Sequence, residues 1–253
     1  MTLKTFDFGG NIVKRCAARR QGKEVFCVGP YEYFIYSTAE NEEVRFGELR
    51  SFTVYVLQAS DHSVVTAAGL DGPLKQGDRI QAEDRIVELA IHGGSVQLLV
   101  AGTHRPHPDL KGLTLARNKD LYRVMKPWGH ELWINGNHPC YALKEIFLKA
   151  GTKTSLQYHR HKQETNVLFE GSAKLHYKRD AAVANDQVSA SDTAAVRIDP
   201  VSTVDVMPET LHRLEAITDL LLYETSTPHL DDVVRILDDS NRQDGRIQGE
   251  HLC

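Results

Sequence analysis

The chain has 253 residues, enough for one large domain or two of roughly 100–150 residues. Hydrophobic residues make up 41% and charged residues 25%, an ordinary globular balance, and a net charge of −4 lacks the basic footprint that nucleic-acid binding needs. The opening Met-Thr-Leu-Lys-Thr-Phe-Asp-Phe-Gly-Gly has no signal-like apolar core, and no apolar run approaches the roughly 20 residues of a bilayer span, so a cytoplasmic protein without membrane contact is expected.

In chain order, Phe52-Thr-Val-Tyr-Val-Leu57 and Ser95-Val-Gln-Leu-Leu-Val100 read as strands. Between them Leu74-Lys-Gln-Gly-Asp78-Arg-Ile is similar to the turn in the middle of a jelly roll. His62 and His92 are isolated, with no carboxylate at ligand spacing. Thr103-His-Arg-Pro-His-Pro-Asp109 carries two prolines and predicts a connector over 103–120. Beyond it Ala142-Leu-Lys-Glu-Ile-Phe-Leu148 and Leu220-Leu-Leu-Tyr-Glu-Thr225 are again strand-like. Residues 180–195, small and polar, predict a long mobile loop, and the residues from Arg242 on a loosely held tail. Many short strands with regular turn signals and little helical periodicity predict an all-β sandwich or barrel. Cys16, Cys27, Cys140 and Cys253 are scattered without a C-x-x-C and are expected to be reduced thiols.

The chemistry-bearing stretch is Gly151-Thr-Lys-Thr-Ser-Leu-Gln157-Tyr158-His159-Arg160-His161-Lys162-Gln163-Glu164, with Gly171 after it and Pro208-Glu-Thr-Leu-His212-Arg213 further on. On a strand, side chains at i and i+2 share a face, so His159 and His161 can grip one ion together. Alone, such a pair is more often two exposed histidines; Glu164 and His212 raise the case for a metal. Three imidazoles and a carboxylate suit a divalent transition metal: Zn, Fe, Mn, Co or Ni.

This spacing resembles the two motifs of the cupin superfamily: glycine, H-x-H, glutamate, six residues, glycine, and then P-x-G-x-x-H. Here the second motif is one residue shorter and lacks its glycine. Within that superfamily, residues 122–242 resemble the cupin domain of type II phosphomannose isomerases and related sugar-phosphate proteins. The likeness rests on Lys126-Pro-Trp-Gly129, Ser155-Leu-Gln-Tyr-His-Arg-His-Lys-Gln-Glu164, His212-Arg-Leu-Glu215 and Asp231-Asp-Val-Val-Arg235. The family often has Arg where Lys126 stands.

The resemblance implies two tandem cupin (jelly-roll) barrels, a degenerate one over 1–105 and a metal-binding one over 120–242. It implies His159, His161, Glu164 and His212 as metal ligands. Lys126, Gln157 and Arg213 would face the substrate, with Gln157 an alternative ligand. The implied activity is metal-dependent isomerisation or epimerisation of a phosphorylated or nucleotide-linked sugar, with Glu215 and Glu224 as proton-transfer candidates. The rival expectations are a non-catalytic sugar-binding or regulatory cupin and an Fe(II) dioxygenase. The degenerate barrel would serve packing, dimerisation into a homodimer, or walling of the pocket.

Overall fold

The computed structural model describes residues 4–8, 11–15, 22–178, 193–200 and 202–251. Most of the expected loop at 180–195 lies outside the described residues, as do Cys16 and Cys253. Among the described residues the chain is all-β, with 3-10 turns at Asn118–Asp120 and Gln248–His251. No helix among the described residues is long and apolar enough to cross a membrane.

The chain opens with an antiparallel hairpin, β1 (Lys4–Phe8) and β2 (Asn11–Arg15). Next come β3 (Gly22–Val28), β4 (Glu32–Ser37), β5 (Glu42–Phe46), β6 (Ser51–Ala59), β7 (Val64–Ala67), β8 (Arg79–Glu83), β9 (Val87–His92), β10 (Val96–Thr103) and β11 (Gly112–Ala116). They form a sheet ordered β11-β8-β6-β10-β4-β3 and a smaller one ordered β5-β9-β7, a jelly roll with Greek-key crossovers. Alternation along β6 explains its packing: Phe52, Val54 and Val56 enter the barrel core with Ile80, Ala82, Leu98 and Val100. The opposite face of β6 and β8 carries Ser51, Thr53, Gln81 and Glu83, all buried.

Strand β11 corrects the structureless connector expected over 103–120. The prolines bar pairing only near themselves; Gly112–Ala116 pairs residue for residue with β8, and Leu113 and Leu115 pack on the core.

The second barrel contains β12 (Tyr122–Lys126), β13 (Gly129–Asn135), β14 (Ala142–Leu148), β15 (Leu156–Tyr158), β16 (Glu164–Glu170), β17 (Ala173–Lys178), β18 (Ala194–Ile198), β19 (Ser202–Val206), β20 (Leu211–Ala216), β21 (Leu220–Ser226) and β22 (Val234–Leu237). Its sheets run β1-β2-β19-β16-β21-β14-β13-β12 and β18-β17-β20-β15-β22. Trp128, Leu148, Leu168, Leu175, Val204 and Leu222 are among its core residues. Gly171 turns the chain from β16 to β17 at φ 82°, and a Cβ there would stand 2.0 Å from the Asp219 carbonyl oxygen. Only glycine fits that turn.

The compact units are Ala18–Tyr122 with Ile134–Tyr141, and Met1–Ala17 with Arg123–Trp133 and Ala142–Cys253. These boundaries differ from 1–105 and 120–242. The first hairpin belongs to the second barrel because β2 pairs with β19, Thr203 opposite Lys14. A hairpin's own pattern does not say which sheet edge it extends.

Candidate metal centre

The metal-type donors converge between the two sheets of the second barrel. Gln157, on β15, lies directly opposite His212 on β20. Glu164 begins β16 in the other sheet, and Glu224 on β21 lies opposite Asn166. His159, Glu164 and His212 are all buried, and each offers a ligand atom within 4.8 Å of the others. Nε2 of His159 is 3.6 Å from Glu164 Oε2, and Nε2 of His212 is 3.3 Å from Oε1.

Backbone carbonyls set both imidazole tautomers. Nδ1 of His159 donates to the Asp232 carbonyl, and Nδ1 of His212 donates to the Thr210 carbonyl at 2.9 Å. Each ring therefore aims Nε2 at the carboxylate, the arrangement that orients metal-bound histidines. The turn ahead of His212 lacks the motif glycine. Glu209 takes the left-handed conformation itself, at φ 61°, and its N–H binds the His159 carbonyl at 2.6 Å. The short second motif still delivers its histidine.

His161 is not in the cluster. The pairing of His159 and His161 on one face requires extended backbone, but β15 ends at Tyr158. The Asp232 carboxylate collects the N–H groups of His161 and Lys162, bending the chain there. His161 is left exposed, its ring 5.9 Å from that of His229. Lys162 turns inward instead. Its ammonium lies 2.5 Å from Glu164 Oε2 and 2.8 Å from Glu224 Oε1, all three side chains buried. Burial alone would lower the Lys162 pKa, but the two carboxylates raise it. Burial would raise that of Glu164, but Lys162, then His159 and His212, hold it well below the usual carboxylate range. Burial and Lys162 lower the His159 pKa; that of His212 is raised, Glu164 outweighing burial.

These residues fit a metal ion. Among the described residues buried Nε2 of His159 has no hydrogen-bond partner, an orphan atom of the kind a ligand bond satisfies. Two imidazoles and a carboxylate form a three-ligand set that leaves positions open.

The same cavity, about 120 Å³, is lined by Gln157 and Lys126 but not by Arg213. Strand alternation turns Arg213 away from His212. Arg213 donates to the Thr154 carbonyl at 2.7 Å and pairs with Asp239 at 2.7 Å, a fastening role unlike the substrate-facing one expected. Glu215 likewise faces His176, at 2.8 Å, while Glu224 faces the cavity. Trp128 is core, and Trp133 walls the mouth with Lys144 4.6 Å from its ring centre. Glu131, half-buried, accepts from Trp133 Nε1 at 2.9 Å; its pKa falls to about 2 because Lys144 and Lys126 overcome the effect of desolvation. Lys144 and Glu224 are cross-strand neighbours and carry a signal in the sequence, a charge inside an apolar strand. Lys162 carries none, since only the turn brings it inside.

The expected loose tail from Arg242 is also corrected. Arg242 pairs with Asp238 at 2.6 Å and Glu250 at 3.3 Å, and Arg235 donates to the Gly245 carbonyl at 2.9 Å. Polar composition resembled a free tail, yet these charges have partners.

Residues 115–221 match the family described as mannose-6-phosphate isomerase C-terminal. The fold of the chain is that of a tandem cupin. Among solved structures it is similar to protein Ylba from E. coli (11% identity, TM-score 0.62, covering 87% of this chain and 92% of that one). It is also similar to an IolB-like protein from Salmonella typhimurium (12%, 0.61, 94% and 97%) and to an oxalate decarboxylase from Lactobacillus farciminis (11%, 0.59, 92% and 86%). At such identities the likeness is one of fold, and it extends over both barrels. No curated protein matches the chain. The first cupin barrel is the degenerate one: its interior is filled by apolar side chains, and His62 and His92 are exposed.

Proposed function

We propose that this cupin is a metal-dependent isomerase or epimerase of a phosphorylated or nucleotide-linked sugar. The observation that carries the reading is the His159–Glu164–His212 donor set at the base of a cavity with a cationic lining. Among the described residues six cations line it, Lys126, Lys144, Lys162, Arg235, Arg242 and Arg246, against three carboxylates, Glu131, Glu164 and Glu224. Such a surplus favours an anionic ligand, and arginine can hold phosphate bidentately.

The three residues would hold a divalent transition metal, and Gln157, which lines the cavity where His161 does not, would be the further ligand or substrate contact. Once bound, the ion supplies Lewis-acid polarisation of a substrate oxygen. The chain's own residues do the rest. Lys126 and Arg242 bind the anionic group at the mouth, and Trp133 walls it. Glu224, fixed by Lys162, is the carboxylate placed to hold a migrating proton.

Calorimetric titration with sugar phosphates and their neutral parent sugars tests this. Phosphorylated sugars should bind in preference, and Lys126→Ala should weaken them by about 1.5–3 kcal/mol, as for a hydrogen bond to a charged group, with metal content unchanged. Equal binding of neutral sugars, or no binding at all, would remove the sugar-phosphate reading. A second reading, an Fe(II) dioxygenase, draws on the two-histidine, one-carboxylate set. Oxygen consumption by the iron-loaded protein separates it, and binding without turnover would mark a sugar-binding cupin.

A further inference from the structure

Residues 246–251 lie across the cavity without joining either sheet. Gly245 anchors their start: its N–H binds the Val233 carbonyl at 2.8 Å and its carbonyl accepts from Arg235. It sits at φ 71°, a conformation open to glycine. Beyond it, the backbone bond from Glu250 N–H to the Ile247 carbonyl, at 3.0 Å, is internal to the stretch. Side chains tie the stretch down. One oxygen of Glu250 lies 2.8 Å from Lys126 Nζ and the other 3.3 Å from Arg242 Nη1. The His251 ring stands edge-on to Trp133 at 5.2 Å, and Arg246 is 5.4 Å from the same indole. Arg246, Ile247 and His251 line the cavity.

The free space beneath is about 120 Å³. Small-molecule sites hold roughly 300 Å³ or more. A ligand the size of a sugar phosphate therefore needs this stretch to move. The two cations best placed for an anionic group at the mouth are already bridged by a carboxylate.

We propose that residues 246–251 form a strap over the cavity, and that the Glu250 carboxylate is an internal stand-in that an anionic ligand must displace from Lys126 and Arg242. This rests on the anionic-ligand reading above. Displacement exchanges one set of ion pairs for another, so the strap sets a threshold: a neutral ligand gains nothing at the cations and leaves it closed. Selection for charge would then come from the strap as well as from the cations.

The probes are inorganic phosphate and a hexose 6-phosphate, titrated against wild type, Glu250→Gln and His251→Ala. Glu250→Gln should bind phosphate about tenfold tighter, the worth of one charged hydrogen bond released. His251→Ala, which loosens the strap without removing a negative charge, should also bind more tightly. In wild type, phosphate should raise hydrogen exchange of the amides of 246–251. Equal affinities in all three proteins, or tighter binding by Glu250→Gln alone with no change in exchange, would overturn the strap while the anionic-ligand reading stood. Failure of every protein to bind either probe would overturn both.

Discussion

The two barrels share a two-sheet antiparallel frame but fill it differently. Inside the first, the inward residues of β4, β6, β8 and β10 are apolar: Phe34, Phe52, Val54, Ile80, Ala82, Leu98 and Val100. Inside the second, β15, β16, β20 and β21 contribute Gln157, Glu164, His212 and Glu224 to the cavity. The frame accepts either filling because ladder hydrogen bonds do not depend on side chains. The polar filling is costly unless its members satisfy one another. The second barrel meets that condition with Lys162, which serves Glu164 and Glu224 together. The first barrel gathers Ser51, Thr53, Gln81 and Glu83 on the outer face of β6 and β8, in a network with His138 and Tyr141. The two barrels thus differ in which face holds the polar residues.

The sharpest way to break that comparison is Lys162→Met. It leaves Glu164 and Glu224 buried without their shared cation. Removing one partner of a buried ion pair costs about 3–5 kcal/mol, so urea unfolding in the presence of a chelator should show a loss of that order. A divalent transition metal should return part of the loss by binding the folded form, since it takes over Glu164. An unchanged midpoint would mean that the second barrel tolerates its carboxylates without compensation.

A smaller effect sharpens the ligand assignment. His212→Ala and His161→Ala should part company. The first removes one of the three converging donors, and should weaken metal binding at least about a hundredfold, the upper range for altering even a supporting residue. The second removes an exposed ring outside the cluster and should leave metal content unaltered in elemental analysis. Equal losses would restore His161 to the site.

That contrast marks the limit of what was legible in the sequence. The apolar runs at 52–57, 95–100, 142–148 and 220–225 lie within β6, β14 and β21 or overlap β10, because alternation and β-branching are local properties. His159, Glu164 and His212 were legible from motif spacing and converge in the structure. His161 was misjudged because its orientation is decided by Asp232, some 70 residues on, whose carboxylate bends the chain. For Arg213 the resemblance implies a substrate-facing role, whereas its strand position beside inward His212 already turns it away. The binding of Glu250 to Lys126, 124 residues apart, leaves no local trace at all.

The mildest test concerns the outer network of the first barrel. Nδ1 of His138 accepts the Cys140 N–H at 3.2 Å, so its proton sits on Nε2, which donates to Glu83 Oε1 at 2.9 Å. The imidazole is thus neutral. Its pKa is lowered by burial, with Glu83 pulling the other way. The unfolded chain, with a histidine near 6.5, takes up a proton more readily than the folded one. The stabilisation is then complete above about pH 6.5 and fades as pH falls toward and through the folded value. His138→Phe keeps an aromatic ring against Tyr141, whose ring centre is 4.6 Å away, but removes the donor to Glu83. It should cost about 1–3 kcal/mol at pH 7.5, the range for unpairing a buried polar group. The cost should shrink as pH drops below 6.5, because wild type loses what the variant never had. Chemical unfolding of both proteins between pH 8 and 5 measures this. A cost that grows on acidification would mean that His138 is charged in the folded state and paired with Glu83 as an ion. The first barrel would then hold a buried ion pair of its own, as the second does.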